Sequence, residues 1–354
     1  VLYCSVGYRS SQTAEQLQAL GCTNVLGLRG AIFAWANAGQ PLVNDRGQPT
    51  PLVHPFSDTY AAMLQPEHRF PISRATSLTN DFVPRVNPTR TVYAMTWLVV
   101  LLSWETLCPF LGFFRASPRE RTAHAARNFA LGALNTVFIA ALFVKLWAMV
   151  AAWAETHGFG LLHWLGLPGW ARMAAAVLLL DAWTYAWHRL NHGVPLFWLF
   201  HRTHHSELRL DVTSASRFHP GELVVSSVLR LPLLALLGIR FNELVLYETL
   251  MFAVVQFHHA NIQLPGAVER ALGWLLVTPN MHRVHHSRLP VETDSNFASL
   301  LSVWDRLGGT WRRRADMTGI RYGLDGFDTP EQHTVGGMLK TPLRQESRPG
   351  YFNS

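Results

Sequence analysis

GWARMAAAVLLLDAWTYAWHRLNHGVPLFWLFHRTHH, residues 169–205, runs without a break from an apolar helix of bilayer length into two sets of imidazoles. Residues 169–187 carry only Arg172 near one end and Asp181 inside, so they read as a membrane span in which the carboxylate has a functional or pairing role. His188 and His192 stand four apart at its end; a continuing helix puts both rings on one face, a spacing that can hold a metal ion. His201, His204 and His205 follow as H-x-x-H-H, and the same spacing returns at His282, His285 and His286. With His219 in FHPGE and His258 and His259 in QFHHANI, eleven of the 17 histidines fall between residues 188 and 286. Eleven imidazoles exceed what a single tetrahedral or octahedral ion can use, so two metals are expected. A lone histidine is ordinarily a satisfied core or interfacial residue, but two copies of one triplet argue against that for the set. Imidazole accepts zinc, iron, copper and nickel alike, which keeps a metal-handling membrane protein as the alternative. An ion path is poorly supported: Asp181, Arg230 and Glu248 form no repeated file of carboxylates.

Outward from this stretch the composition agrees. Of 354 residues 49% are apolar and 15% charged, with 13 Trp and 20 Phe, a charge deficit that puts part of the surface against lipid. The net charge of +7 comes with no aromatic-basic recognition motif, so anionic lipid headgroups are the expected partner and nucleic acid is not. Thr91–Phe114 carries only Glu105, and Phe129–Trp153 only Lys145; each is long enough to span. Leu223–Ile239 and Leu244–Phe257 are interrupted by Arg230, Pro232 and Glu248 and read as a re-entrant hairpin or as two crossings. Arg115–Asn128 holds four arginines and Ala154–Pro168 no Lys or Arg, which places the first loop, and with it everything from His188 onward, at the cytoplasmic face of an inner or plasma membrane.

HRLNH (188–192), HRTHH (201–205), SRFHPGE (216–222), QFHHANI (256–262), PNMHRVHH (279–286) and NFASLLSVWDRLGGT (296–310) together resemble the fatty acid hydroxylase and sterol desaturase superfamily over residues 90–312. The resemblance implies an integral membrane helical bundle, mostly α, with a cytoplasmic histidine-rich cap and two iron ions, cycling between Fe2+ and Fe3+. It also implies hydroxylation or desaturation of an alkyl C–H in a lipid by O2. The implied ligands are His188, His192, His201, His204, His205, His282, His285 and His286, then His259, with His219 and His258 as further members. Ligating imidazoles commonly donate their second N–H to an oxygen, and Asp181 and Tyr185, on one helical face with His188, are the preferred candidates, ahead of Glu222, Asn261, Asp294 and Asp305. No Gly-rich dinucleotide fingerprint, haem motif or iron–sulfur cysteine set is present, so the electrons are expected from an external electron-transfer protein or reductase.

Residues 1–72 read as a separate α/β piece: a strand-like VLYC, a helical TAEQLQALG ending on Gly21, a second strand NVLGL and the apolar AIFAWANAG. CSVGYRS (4–10) with TNVLGLRGAIFAWANAGQPL resembles the C-terminal half of a rhodanese domain, which implies Cys4 as a persulfide-carrying nucleophile. The strands that precede that loop in the family are absent, so a relic tether is the equal expectation. Its alternative functional form is a sulfurtransferase-linked membrane protein without oxygenase activity. The first apolar run, Val1–Cys4, predicts no signal peptide. Residues 73–90 are polar with two prolines and read as a linker to a 91–354 membrane domain. Cys4, Cys22 and Cys108 lie far apart, predicting no disulfide framework and a reducing compartment; Cys22 and Cys108 are expected to pack.

Overall fold

The computed structural model describes residues 8–44, 47–53, 61–70, 88–115 and 117–344. VLYC with Cys4, and the linker up to residue 87, lie outside these. The chain divides into two compact units, Val1–Pro84 and Arg85–Ser354.

In the first unit, α1 (Tyr8–Ala19) ends before Gly21, whose φ of +89° suits a residue without a Cβ. α2 (Ala31–Asn37) buries Phe33 and Ala36 against Leu64. Asn37 clamps the returning chain, donating to the Met63 carbonyl at 2.8 Å and accepting from the Gln65 amide at 2.8 Å. The expected α/β rhythm is corrected: among the described residues this unit has helices and isolated bridges but no strand. Within Asn24–Leu28 only Gly27 takes part in a bridge, and no strand is formed there among the described residues. Cys22 is exposed, and so is Cys108 in the second unit, contrary to the packing expected of both.

The second unit is helical. Proline opens its helices repeatedly, at Pro88 of α3 (Pro88–Leu107), Pro118 of α4 (Pro118–Ile139), Pro195, Pro220 and Pro279, where its missing N–H would be unpaired anyway. Ser117 caps α4 by accepting from the Glu120 amide at 3.3 Å. α4 passes through a π-turn, Ala140–Val144, into α5 (Lys145–Thr156). α6 (Gly169–Gly193) is followed directly by α7 (Pro195–His205). α8 (Pro220–Leu237) and α9 (Phe241–His259) form a helical hairpin turned at Gly238, φ +68°. α10 (Pro279–His285) carries the last triplet.

Phe143, Trp147, Leu162, Leu180, Leu234, Leu244 and Tyr247 pack α5, α6, α8 and α9 around one core. Two pairs of opposite charges lie within this apolar body. Arg172 donates to Glu243 at 2.7 Å and to the carbonyls of Leu162 and Gly238, each at 2.6 Å. Arg230 meets Glu248 at 2.7 Å.

Among the described residues, two helical stretches, Pro118–Trp164 and Pro220–Leu237, are long and apolar enough to cross a membrane. The first expected span is shorter than anticipated, its helix ending at Leu107. Glu105 there accepts from the amides of Val212 and Asn261, both at 3.0 Å, and pairs with Arg121 at 3.0 Å, and Pro109 follows. α6 has the length of a span but not the apolarity, because of Arg172 and Asp181.

Candidate metal centre

The histidines come from the C-terminal ends of α6, α7 and α9 and from α10. Nine of them form two groups: His188, His192, His201, His205 and His285 in one, and His204, His259, His282 and His286 in the other, with the donor atoms of each group within 4.8 Å of one another. Both groups are buried. Each H-x-x-H-H triplet is divided between them. Its first and last members share a helix face and serve one group, while the middle member, about 100° away around the helix, serves the other. The two triplets divide in opposite senses, so that they interlock, and the His205 and His286 rings stack across the boundary at 4.6 Å.

In each group it is the Nε2 atoms that converge. His188 and His201 are 3.1 Å apart, His192 and His205 3.1 Å, and His201 and His205 3.2 Å. In the second group, His204–His259 measures 3.2 Å, and His259–His282 and His282–His286 each 3.0 Å. These match the edge of a coordination polyhedron with metal–nitrogen bonds of about 2.1 Å, whose right-angled ligand pairs are about 3 Å apart.

The opposite nitrogens decide what lies between. Nδ1 of His188 donates to the Phe297 carbonyl (2.8 Å), His192 to Asp294 (3.1 Å), His201 to Glu222 (3.0 Å), His285 to the Ser295 carbonyl (2.7 Å) and His259 to the Val255 carbonyl (2.7 Å). These oxygens only accept, so each neutral ring has its proton on Nδ1 and a lone pair on Nε2. His188 and His201 therefore oppose two lone pairs at 3.1 Å, which repel unless a cation sits between them. Protonating the rings is no remedy: burial drives His285 down to about 3, and burial, with neighbouring imidazoles, holds His204, His205, His282 and His286 well below the usual range. The donor set and the unpartnered Nε2 of His285 thus fit metal ions.

Several expected participants stand elsewhere. His219 caps α8, its Nδ1 accepting from the Gly221 amide at 2.9 Å and its Nε2 donating to the Leu339 carbonyl at 3.2 Å, so both nitrogens are occupied. His258 belongs to neither group; its ring lies 3.9 Å from that of His282 with no hydrogen bond at either nitrogen. Neither Asp181 nor Tyr185 hydrogen-bonds a histidine among the described residues. Asp181 accepts from the Leu301 amide (3.0 Å) and the Trp304 indole (2.7 Å), and Tyr185 meets the Thr310 hydroxyl at 3.0 Å. The shared helical face was real, but seven residues along a helix put Asp181 about 10 Å from His188. Asn261 binds Leu111, at 3.0 Å and 2.8 Å. Cys4 lies outside the described residues.

The imidazoles are oriented instead by Glu222, Asp294 and the turn 295–298. Asn296, at φ +52°, donates to the carbonyls of Met281 and Arg312 at 2.9 Å each, and Asp305 accepts from the Phe297 and Ala298 amides at 2.7 and 3.1 Å. This brace presents the Ser295 and Phe297 carbonyls to His285 and His188. Asn191, which donates to Glu222 at 3.1 Å, had one signal in sequence, its place inside the HRLNH motif, whereas the positive φ of Asn296 had none. Glu222→Ala is expected to weaken metal affinity about 10–100-fold, since His201 loses the partner of its Nδ1 proton. Competitive chelator titration measures this, and an unchanged affinity would show that Glu222 does not orient the ligand.

The fold and site define a helical protein with two buried groups of histidines able to hold metal ions. Residues 173–310 match the fatty acid hydroxylase family, which supports the superfamily resemblance for that part of the chain. The chain is similar to alkylglycerol monooxygenase of Xenopus tropicalis (32% identical over 44% of this chain and 35% of the relative) and of Homo sapiens (27% over 77% and 58%). It is also similar to an ornithine lipid hydroxylase of Rhizobium tropici (27% over 44% and 46%). The chain thus spans between about a third and three fifths of the length of these relatives. No solved structure matches it. The comparisons lend no support to the rhodanese resemblance of residues 1–72.

Proposed function

We propose that this chain is a membrane-bound non-haem di-iron oxygenase that hydroxylates, or desaturates, an alkyl C–H of a lipid with O2 and electrons from an external protein. The observation that carries the reading is the pair of converging Nε2 sets, with protons held on the far side of five rings. His188, His192, His201, His205 and His285 would hold one ion, and His204, His259, His282 and His286 the other. Bound iron supplies the activation of O2 that an alkyl C–H requires. Glu222 and Asp294 keep the Nδ1 protons of His201 and His192 in place, and the buried shell, including Trp198 and Phe297, keeps bulk water from the rings.

Membrane residence is supported by the low burial of both span-length helices, along which Leu134, Val137, Phe138, Leu142, Leu146 and Val228 are exposed. Four arginines in Arg115–Asn128 support a cytoplasmic histidine face. A lipid substrate is supported by the relatives, named for alkylglycerols and ornithine lipids. Residues 91–354 constitute the oxygenase domain in this reading, behind a 73–90 linker and the 1–72 segment.

Metal analysis with oxygen uptake tests the proposal. About two irons per chain and lipid-dependent O2 consumption are expected. A bound metal without O2 consumption would instead favour a metal-binding membrane protein.

A further inference from the structure

A cavity of ≈ 130 Å³ lies on the side of α10 facing away from the metal centre. Its inner wall includes Met281 and Val284, which alternate along that helix with His282 and His285. Whatever occupies it therefore sits about one helix diameter, ~10 Å, from the converging imidazoles.

Its chemistry is strongly one-sided. Arg270, Arg306, Arg312, Arg313 and Arg314 line it, against Glu269 as the only acid among the lining residues. Two of these arginines have structural duties. Arg306 donates to the Gly273 carbonyl at 2.6 Å and the Ser302 hydroxyl at 2.8 Å while lying between the Trp274 and Trp311 rings. Arg314 pairs with Glu292 at 2.7 Å. The other three are different. The guanidinium groups of Arg270, Arg312 and Arg313 make no hydrogen bond or ion pair among the described residues, and Arg313 only lies over Trp311, 4.6 Å from its centroid. Glu269 forms no ion pair with them among the described residues; its carboxylate accepts from the Thr278 hydroxyl instead. Three unpaired forked donors around a small cavity are what a tetrahedral oxyanion needs, because each guanidinium can offer two parallel N–H groups to adjacent oxygens.

The surroundings suggest where such an anion would come from. Trp274 is 72% exposed and Leu275 62%, immediately beside Arg306. Exposed indole and leucine beside guanidinium is the composition of a membrane–water boundary, where rings sit at headgroup depth and arginines meet lipid phosphates.

We propose that this cavity is a phosphate-ester binding site, built by Arg270, Arg312 and Arg313, which takes the headgroup of an anionic phospholipid at the membrane surface. The phosphate chemistry stands apart from the oxygenase reading; its assignment to a lipid rests on the membrane residence proposed above. Occupancy would hold an anionic lipid about one helix away from the metal ligands.

The test is calorimetric titration of the full chain in neutral detergent with dihexanoyl phosphatidic acid, dihexanoylglycerol and inorganic phosphate. Saturable phosphatidic acid binding is expected. It should weaken at least about tenfold in Arg270→Ala/Arg312→Ala, be largely kept in Arg270→Lys/Arg312→Lys, and weaken with added salt. An equal affinity for uncharged dihexanoylglycerol, or an unchanged affinity in the alanine variant, would overturn the site. Inorganic phosphate binding as tightly as the lipid would support the site while overturning its lipid source in favour of a soluble ester. Bound metal and O2 uptake measured on the same preparations separate a failure of this site from a failure of the oxygenase reading.

Discussion

His285→Ala is expected to abolish lipid-dependent oxygen uptake, a loss above the roughly 10–100-fold that follows from disturbing a ligand's support, because it removes a donor itself. His285 is wholly buried, its Nε2 faces the first group, and its Nδ1 is held by the Ser295 carbonyl at 2.7 Å. His188, His192 and His201 are each held by their own acceptors, so none of these three can swing into its place. The consequence is specific to the interlocked arrangement. His285 lies between His282 and His286 in sequence but is grouped with His188, His192, His201 and His205. Combining His285→Ala with His201→Ala should therefore remove little more metal than either alone, while combining it with His282→Ala should empty both groups. Metal stoichiometry measures this, with helicity by circular dichroism as the check on folding. Equal stoichiometry in the two double variants would refute the partition.

The second large effect is on stability. Arg172→Ala leaves the Glu243 carboxylate buried without its partner and frees the carbonyls of Leu162 and Gly238, so a loss of about 3–5 kcal/mol is expected. The penalty comes from the stranded charge more than from the lost attraction. Arg172→Met with Glu243→Leu should therefore recover most of the loss, because neither charge then needs solvation. Thermal unfolding of the purified protein measures both; a silent single variant, or a double variant no better than the single, would show that the pair does not hold α6 to the turn between α8 and α9.

Both expectations concern positions that sequence reading treated unevenly. The histidines stood out by spacing, and their helices by proline at the first position and apolar composition. Asp181 stood out too, as a carboxylate in an apolar helix, but its role was misjudged. Helical periodicity places residues around an axis and is silent about the distance to a partner in another part of the chain, here the Leu301 amide and Trp304 indole. His219 was misjudged for a related reason: a histidine before Pro-Gly is equally a helix cap, and only its two contacts, at Gly221 and Leu339, distinguish a cap from a ligand. Asn296 escaped notice because its contribution is a positive φ and a set of backbone contacts, to which sequence offers no direct signal.

What the chain's order of residues determined alone is the chemistry of the centre: neutral nitrogen donors in repeated i, i+3, i+4 sets at the ends of apolar helices. Those offsets follow from 3.6 residues per turn and need no other part of the molecule. Tertiary structure decided which donors converge in one group, which oxygens hold their protons and which charged residues merely tie helices together. These depend on contacts between segments up to about a hundred residues apart, such as His188 with Phe297. Such contacts are selected by the burial of whole helix faces, a collective property that no local spacing encodes.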